Sequence, residues 1–216
     1  MYRYERKFVT NKIDEVLKAN RYLLNNNVLQ LNIPYKSRFI HNIYFDDFSN
    51  SSLFENLDGS KSKKKIRLRW YNDDTERCRL EIKGKIADYG TKKVWNISLP
   101  KLFLNSFLDS KVNYSEFIDI IIKNNPKLDG YMLIVLSRLR PVSYNNYFRD
   151  YFVDFSDSVR VTIDRKLKFY NWRTGIKDLS HFKPGLVIYE MKFSSTETSA
   201  ITMYDKGTGG YDKTVS

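Results

Sequence analysis

The segment from Lys63 to Trp95 constrains the fold more than any other part of this chain. Charged and apolar residues alternate along it, which is typical of β-strands because successive side chains point to opposite faces. Before the polar turn at residues 72–74, one face would carry Lys65, Arg67 and Arg69, and the other Ile66, Leu68 and Trp70. After the turn, the polar positions are Arg77, Arg79, Glu81, Lys83 and Lys85, opposite Cys78, Leu80 and Ile82. The pattern predicts a hairpin with one apolar face and one strongly cationic face.

The density of positive charge on that face points to an anionic ligand. Same-face neighbours on a strand lie about 6.5–7 Å apart, and cations this close repel each other unless an anion neutralises them. The ordinary alternative for such a charge run is a solvated outer surface. The whole chain has 37 Lys and Arg against 25 Asp and Glu, a net charge of +12. This excess predicts an acidic partner, such as nucleic acid, anionic lipid or a phosphate-rich small molecule.

The residue types that are present exclude some kinds of site. Cys78 is the single cysteine, so the chain has neither an internal disulfide nor a cysteine-based zinc cluster, and its alternation predicts a core position. His41 and His181 are far apart in sequence, so a bound metal would depend on carboxylates, which favours Mg²⁺ or Mn²⁺.

The same chain carries no pattern expected of a secreted or membrane-spanning protein. The N-terminus lacks the apolar region of a signal peptide, and the longest apolar run, near residues 131–136, is too short to cross a bilayer. We therefore expect a cytoplasmic protein without a membrane segment, so that any membrane partner would be a separate chain.

Alternation between basic and apolar residues recurs in other segments. Further strands are predicted near residues 2–9, 37–45, 91–99, 147–154, 159–165 and 186–193. Helices are predicted near residues 12–25, 115–124 and 128–139, and a short helical or irregular connector is predicted at 48–59. If the sheet closes into a barrel with its polar faces inward, the helices cover the apolar faces outside. We expect one domain over residues 1–216, with residues 206–216 as a flexible tail.

Seven motifs, in this order and with fitting spacing, make the chain resemble a VTC-type polyphosphate polymerase domain of the CYTH-like triphosphate tunnel metalloenzyme superfamily. They are YERKF (4–8), IYFDD (43–47), KIRLRWY (65–71), LEIKGK (80–85), YFRDYF (147–152), VRVTIDRKLKF (159–169) and YEMKF (189–193). The resemblance covers nearly the whole chain. It implies an α+β fold, an eight-stranded antiparallel β-barrel tunnel with helices packed outside. It also implies binding of ATP and polyphosphate or triphosphate with Mn²⁺ or Mg²⁺, and transfer of the ATP γ-phosphate to a growing polyphosphate chain.

The same resemblance implies a set of site residues. The catalytic positions would be Lys7, Arg67, Arg69, Lys83, Arg160 and Glu190, with Glu190 as the metal ligand. The other phosphate-binding positions would be Lys85, Lys92, Arg149 and Lys206. Lys92 is preferred to Lys93 because alternation places Lys93 on the face of Trp95. For three of these residues, simple ion pairs are the alternative: Lys7 with Glu5, Glu190 with Lys192, and Arg160 with Asp164 or Asp150.

Two departures from the family pattern bear on function. The first strand of the superfamily often reads Glu-x-Glu-x-Lys, whereas this chain has Arg3, Glu5 and Lys7, which favours a polymerase over a two-metal triphosphatase. The last helix of the family usually reads Ser-Lys-Tyr, whereas this chain has residues 204–206 as Tyr-Asp-Lys. A tunnel-type triphosphatase and a non-catalytic polyphosphate-binding module remain the alternatives. Nucleic acid is not expected, because the aromatic residues alternate onto the faces opposite the basic ones.

Overall fold

The computed structural model describes residues 3–12, 14–15, 18, 21, 25, 31–60, 62–86, 89–108, 113–171 and 185–194. The strands are β1 (Arg3–Thr10), β2 (Arg38–Asp46), β3 (Ser62–Tyr71), β4 (Asp74–Ile86), β5 (Tyr89–Ile97), β6 (Arg140–Val153), β7 (Val159–Asn171) and β8 (Val187–Ser194). The helices are α1 (Ser51–Leu57), α2 (Lys101–Leu108), α3 (Tyr114–Asn124) and α4 (Gly130–Ser137).

The eight strands form one sheet in the order β1-β8-β7-β6-β2-β3-β4-β5. The pairings β1–β8, β7–β8, β2–β3, β3–β4 and β4–β5 are antiparallel. The eight-stranded antiparallel α+β fold predicted from the sequence is therefore confirmed. In the described residues the strand order has two ends, at β1 and β5, so the expected term "barrel" describes the observed sheet only loosely.

The chain divides into two compact units, and the first unit comprises Met1–Phe39, Tyr147–Lys168 and Leu179–Ser216. Its described core is built from alternate positions of β1, β6, β7 and β8, namely Phe8, Phe152, Val159, Val161, Ile163, Val187, Tyr189, Met191 and Phe193. Because a strand alternates its side chains, burial of these residues turns the intervening polar residues to the other face.

The second unit comprises Ile40–Asn146 and Phe169–Asp178. The predicted apolar face of the β3–β4 hairpin is buried, through Ile66, Leu68, Trp70, Cys78, Leu80 and Ile82. Helices α2, α3 and α4 cover that face with Leu104, Phe117, Ile121, Met132 and Leu136. The expectation that helices pack on the apolar side of the strands is thus met in this unit. Burial also raises the pKa of the Cys78 thiol to about 12, as befits a core residue.

Some element boundaries differ from the predictions. Helix α2 was not predicted, and α3 begins after Asn113 rather than Ser115, because the Asn113 side chain accepts a hydrogen bond from the Glu116 amide at 2.8 Å. Strand β6 begins at Arg140 and includes Pro141, which is tolerated near the start of a strand. Most of the predicted helix at 12–25, His181, the tail and Lys206 lie outside the described residues. No helix in the described part of the chain has the length and apolarity needed to cross a membrane.

Candidate functional site

The first unit carries two rows of polar side chains across neighbouring strands. In one row Lys7 of β1 lies opposite Glu190 of β8, and Glu190 lies opposite Thr162 of β7. In the other row Glu5 lies opposite Lys192, and Lys192 lies opposite Arg160. Directly opposed residues on one sheet face interact, so the register brings Lys7, Arg160 and Glu190 of the predicted site onto one surface.

Ion pairs connect the lysines and glutamates of these rows. Lys7 Nζ lies 2.6 Å from Glu5 Oε1, and Lys192 Nζ lies 2.5 Å from Glu190 Oε1 and 3.4 Å from Glu5 Oε2. Burial by itself would raise the pKa of Glu5, but Lys7 and Lys192 lower it below its usual value. The pKa of Lys7 is raised, because Glu5 and Glu190 outweigh the effect of its burial. Glu5 and Lys7 are therefore both charged at neutral pH. The ion pairs that the sequence allowed for Lys7 and Glu190 are formed.

Two arginines of the first unit, both predicted site residues, are each held in place by an aspartate. The half-buried Arg149 donates from Nε and Nη2 to the two carboxylate oxygens of Asp164, at 2.6 and 2.7 Å. Arg160 makes the same two-point contact with Asp157, including an Nε–Oδ1 distance of 2.7 Å. Asp164 and Asp150, the alternative partners considered for Arg160, form ion pairs with Arg149 and Arg165.

Arg149, Arg160 and Glu190 border a cavity of about 460 Å³, which we call the first-unit cavity. The residues that line it are Pro34, Tyr35, Arg149, Tyr151, Phe152, Val153, Asp157, Arg160, Val161, Thr162, Glu190 and Lys192. Thr162 Oγ1 is buried and has no hydrogen-bond partner in the structure. The volume lies within the usual range for small-molecule sites, and the unpartnered hydroxyl could donate to a ligand oxygen.

In the second unit, Glu81 is the centre of the polar face of β3–β5. It accepts hydrogen bonds from Arg67 Nε at 2.8 Å and Lys92 Nζ at 3.1 Å, and Arg67 Nη2 lies 2.6 Å from the same carboxylate. The Glu81 side chain is only 2% exposed. Burial would raise the pKa of Glu81, but Arg67, Arg69 and Lys92 lower it, so the carboxylate stays ionised. Glu81 thus fixes two of the predicted phosphate-binding residues in position.

Two residues of β2 complete this surface and were not predicted from the sequence. Tyr44 lies opposite Arg67, and Asn42 lies opposite Arg69. The buried Asn42 accepts from Arg69 Nε at 2.7 Å and donates to Asn145 at 2.8 Å. Burial would raise the pKa of Tyr44, but Arg67 and Lys65 lower it. The available signal was the alternation of Asn42 and Tyr44 with the core residues Ile43 and Phe45.

A row of lysines crosses the same strands. Lys65 of β3 lies opposite Lys83 of β4, which lies opposite Lys92 of β5. A second cavity of about 390 Å³ is lined by Lys63, Lys64, Lys65, Lys83, Gly84, Gly90, Thr91 and Lys92. Like charges directly opposite one another destabilise a sheet, so an anion bound here would relieve their repulsion. The backbone of Lys85 lies opposite Lys63 and Gly90, but its side chain is outside the described part of the structure.

Lys93 occupies a different environment from Lys92. Its Nζ lies 4.9 Å from the centre of the Tyr131 ring, and Trp95 Nε1 donates to Asp129 at 2.8 Å. Lys93 and Trp95 thus both contact residues at the start of α4. The predicted placement of Lys93 on the same face as Trp95 is therefore observed, and the assignment of Lys92 to phosphate stays a prediction.

The carboxylates of the first unit fit a metal ion that arrives with phosphate. Within the described residues, no group of three or more His, Cys, Asp or Glu side chains could hold a metal by itself. Glu190 and Glu5 nevertheless share Lys192 as a partner. Mg²⁺ is commonly held by one or two carboxylates together with substrate phosphates and water, and Mn²⁺ also suits oxygen ligands. Glu190, assisted by Glu5, is compatible with that mode of binding.

Comparison with known proteins identifies a family and a fold. The family model described as "VTC domain" matches residues 2–206. A candidate adenylyl cyclase from Hippeastrum, described as revealing a dominant triphosphatase activity, is 14% identical with a TM-score of 0.50; the match covers 97% of this chain and 88% of that one. A candidate adenylate cyclase from Bacillus halodurans is 12% identical with a TM-score of 0.50, over 100% and 96% of the two chains. Comparison with curated proteins gives no match. At these identities the solved structures support the fold alone.

Proposed function

This chain belongs to the VTC domain family, and on that premise we propose that it is a metal-dependent polyphosphate polymerase. It transfers the γ-phosphate of ATP to the end of a growing inorganic polyphosphate chain. The observation that supports this most is the network of Arg67, Lys92 and Glu81, in which a nearly buried carboxylate holds two cations on the polar sheet face. On an ordinary solvated surface, water and salt would screen the charges of the lysines and arginines, so a buried glutamate would not be expected beside them.

The proposed chemistry requires positioning and charge stabilisation rather than a nucleophilic side chain. In phosphoryl transfer the charge spreads over the phosphate oxygens, and cations placed around them lower the barrier. The attacking group is a terminal phosphate that is already anionic at neutral pH, so no strong general base is needed. This agrees with a site built from arginines, lysines and carboxylates.

The arginine pairs would orient donors toward phosphate. A guanidinium carries five N–H donors, and a two-point contact with one carboxylate takes two of them. Arg149 on Asp164 and Arg160 on Asp157 are both held in this way. Their remaining donors would bind phosphate oxygens, while Lys7, Lys83 and Lys92 would act as point charges. Lys206 and Lys85 stay predictions as further phosphate-binding residues.

Glu190 would hold the divalent ion, Mn²⁺ or Mg²⁺. When bound, such an ion would supply positive charge to offset the negative charge of the phosphate groups. The protein's part is to orient Glu190, and Lys192 contacts its carboxylate at 2.5 Å.

The product distribution tests the proposal. Purified protein, incubated with ATP and Mn²⁺ or Mg²⁺, should release ADP and produce a ladder of polyphosphate chains on a gel. Release of ADP and free phosphate without chain growth would contradict the polymerase and favour the triphosphatase. Binding of polyphosphate without any turnover would favour the alternative of a non-catalytic polyphosphate-binding module.

Arg160→Ala should lower kcat/KM for chain growth by about 10- to 100-fold, because a hydrogen bond to a charged group contributes about 1.5–3 kcal/mol. Arg77→Ala is the matched control, since Arg77 pairs with Asp74 in the same i,i+3 arrangement as Arg160 with Asp157 but is a largely exposed residue near the start of strand β4. That control should stay within about twofold of the unchanged chain. Equal losses in the two variants would remove Arg160 from the site.

A further inference from the structure

We infer that Tyr35, Tyr151 and Arg38 form a nucleobase-binding platform at the first-unit cavity, which selects a nucleoside triphosphate over inorganic triphosphate. The inference rests on the proposed function only in assuming that the site takes a triphosphate. It adds the part of the molecule that would recognise the base.

The platform consists of two aromatic rings and a guanidinium. The Tyr35 and Tyr151 rings meet edge to face, with their centres 5.6 Å apart. Arg38 Cζ lies 5.4 Å from the Tyr35 centre and 5.0 Å from the Tyr151 centre, and Arg38 Nε donates to Tyr151 Oη at 3.1 Å. Aromatic rings and arginine planes are the groups on which unpaired bases stack.

Tyr35 lies on a segment that is anchored at both ends. On one side, Asn32 and Val153 exchange backbone hydrogen bonds of 2.7 and 2.9 Å. On the other side, the Ser37 hydroxyl donates to Asp150. Pro34 further restricts the backbone directly before Tyr35. The ring is thus held at the cavity although it is 59% exposed, and an exposed aromatic ring that lines a cavity offers a stacking surface.

The same cavity provides the groups that a triphosphate needs. Arg149 and Arg160 line it, each oriented by its own aspartate, and so does Thr162, whose buried hydroxyl lacks a partner. Glu190 and Lys192 line it as well. A ligand with one flat apolar end and one polyanionic end matches this lining, whereas inorganic triphosphate would leave the tyrosines unused.

The test compares a ligand that carries a nucleoside on a triphosphate-like chain with one that has no nucleoside. Isothermal titration calorimetry on the full chain would measure binding of the β,γ-imido analogue of ATP and of inorganic triphosphate. Tyr35→Ala should weaken binding of the analogue by about 5- to 150-fold, the equivalent of 1–3 kcal/mol for one stacked base. The affinity of Tyr35→Ala for inorganic triphosphate should stay within about twofold of that of the unchanged chain. Tyr35→Phe should bind both ligands as tightly as the unchanged chain does.

Tyr131→Ala is the matched control, because Tyr131 is also an exposed tyrosine with a cation over its ring but does not line this cavity. It should change neither affinity. An equal loss for both ligands in Tyr35→Ala, or no loss for the analogue, would overturn the platform. Failure of the unchanged chain to bind the analogue would overturn it too.

This binding measurement needs no turnover. A chain that makes no polyphosphate, but loses affinity for the analogue in Tyr35→Ala, would keep the platform and overturn the polymerase. A chain that makes polyphosphate, but whose affinity for the analogue is unchanged in Tyr35→Ala, would keep the polymerase and overturn the platform.

Discussion

At the scale of single residues, Glu81 organises the cationic surface of the second unit. Its carboxylate is nearly inaccessible and contacts both Arg67 and Lys92. Moving a carboxylate out of water is costly, and only close cations and hydrogen bonds repay that cost. The glutamate therefore fixes the two cations in one geometry. If they bind phosphate as proposed, they would do so with little further loss of side-chain freedom.

We predict that Glu81→Gln lowers the free energy of unfolding at pH 7 by about 3 kcal/mol, because it leaves a half-buried arginine without its ionic partner. Chemical denaturation without ligand measures this. Glu76→Gln, an exposed position on the same strand, should change stability by less than about 0.5 kcal/mol. A loss no larger in Glu81→Gln than in Glu76→Gln would show that the ion pair contributes nothing to the fold.

The sequence predicted which face of a strand each residue occupies, but not which side chains on other segments it contacts. Alternation assigned Arg67, Arg69, Lys83 and Glu81 to one face, because that assignment depends only on neighbours along the same strand. It could not find that Asp157 is the partner of Arg160, or that Asn42 contacts Arg69. Those contacts depend on side-chain reach and on which strand lies alongside.

At the scale of elements, strand β2 joins the hairpin through a stack of rings. His41 of β2 lies opposite Trp70 of β3, with the ring centres 4.9 Å apart and nearly parallel. His41 Nδ1 also lies 2.7 Å from Tyr144 Oη of β6. Burial lowers the pKa of His41, and the charge of Asp73 only partly offsets this. The neutral imidazole is therefore the form that the folded element favours.

A lowered pKa in the folded state has a definite consequence for stability. The stabilisation is fully present above the unfolded pKa, about 6.5 for a histidine, and is lost as the pH falls toward the folded value. We predict that the free energy of unfolding decreases as the pH falls from about 6.5 to 5. In His41→Gln this decrease should be much smaller. Denaturant titrations at pH 7.5, 6.5, 5.8 and 5.0 would measure both. An identical slope in the variant would assign the effect to other groups.

Elements differed in how well the sequence predicted them. The hairpin β3–β4 was predictable because period-two alternation extends through both strands. Helix α2 was not, although Leu104 belongs to the core, because a helix of 8 residues carries few apolar positions from which to recognise its period. The cap of α3 depends on which of two neighbouring polar residues reaches the Glu116 amide, and the structure assigns it to Asn113.

At the scale of the molecule, the net charge of +12 is the dominant physical property. Self-repulsion of like charges destabilises the compact state, and a bound polyanion relieves it. The lysine row Lys65–Lys83–Lys92 and the cations of the first unit are the places where that relief would be largest.

We predict that inorganic triphosphate at 100 times its dissociation constant raises the melting temperature by about 5–10 °C. The reason is that such saturation stabilises the folded state by about 2.7 kcal/mol, and each kcal/mol shifts Tm by about 2–4 °C in a chain of this size. Differential scanning calorimetry would measure the shift. Sodium chloride at matched ionic strength is the control, and should give a much smaller change.

Salt should act on the complex in the opposite direction. Raising the sodium chloride concentration screens the exposed lysines and should reduce the stabilisation by triphosphate. Equal stabilisation by chloride and triphosphate, or no effect of triphosphate, would mean that the charge serves only solubility.

The sequence alone was sufficient for the alternation of β3 and β4, the core position of Cys78 and the cationic polar face, since these depend on residue type and spacing within single strands. It was also sufficient for the likeness to the VTC domain, which depends on the order and spacing of seven short motifs along the chain. Tertiary packing was required for the burial of Glu81 between Arg67 and Lys92, for the contacts of Asn42, and for the meeting of Tyr35 and Tyr151 beside Arg160. The physical reason is that burial, register and side-chain reach are set by segments far apart in sequence, whose separation in space is decided only when the sheet is assembled.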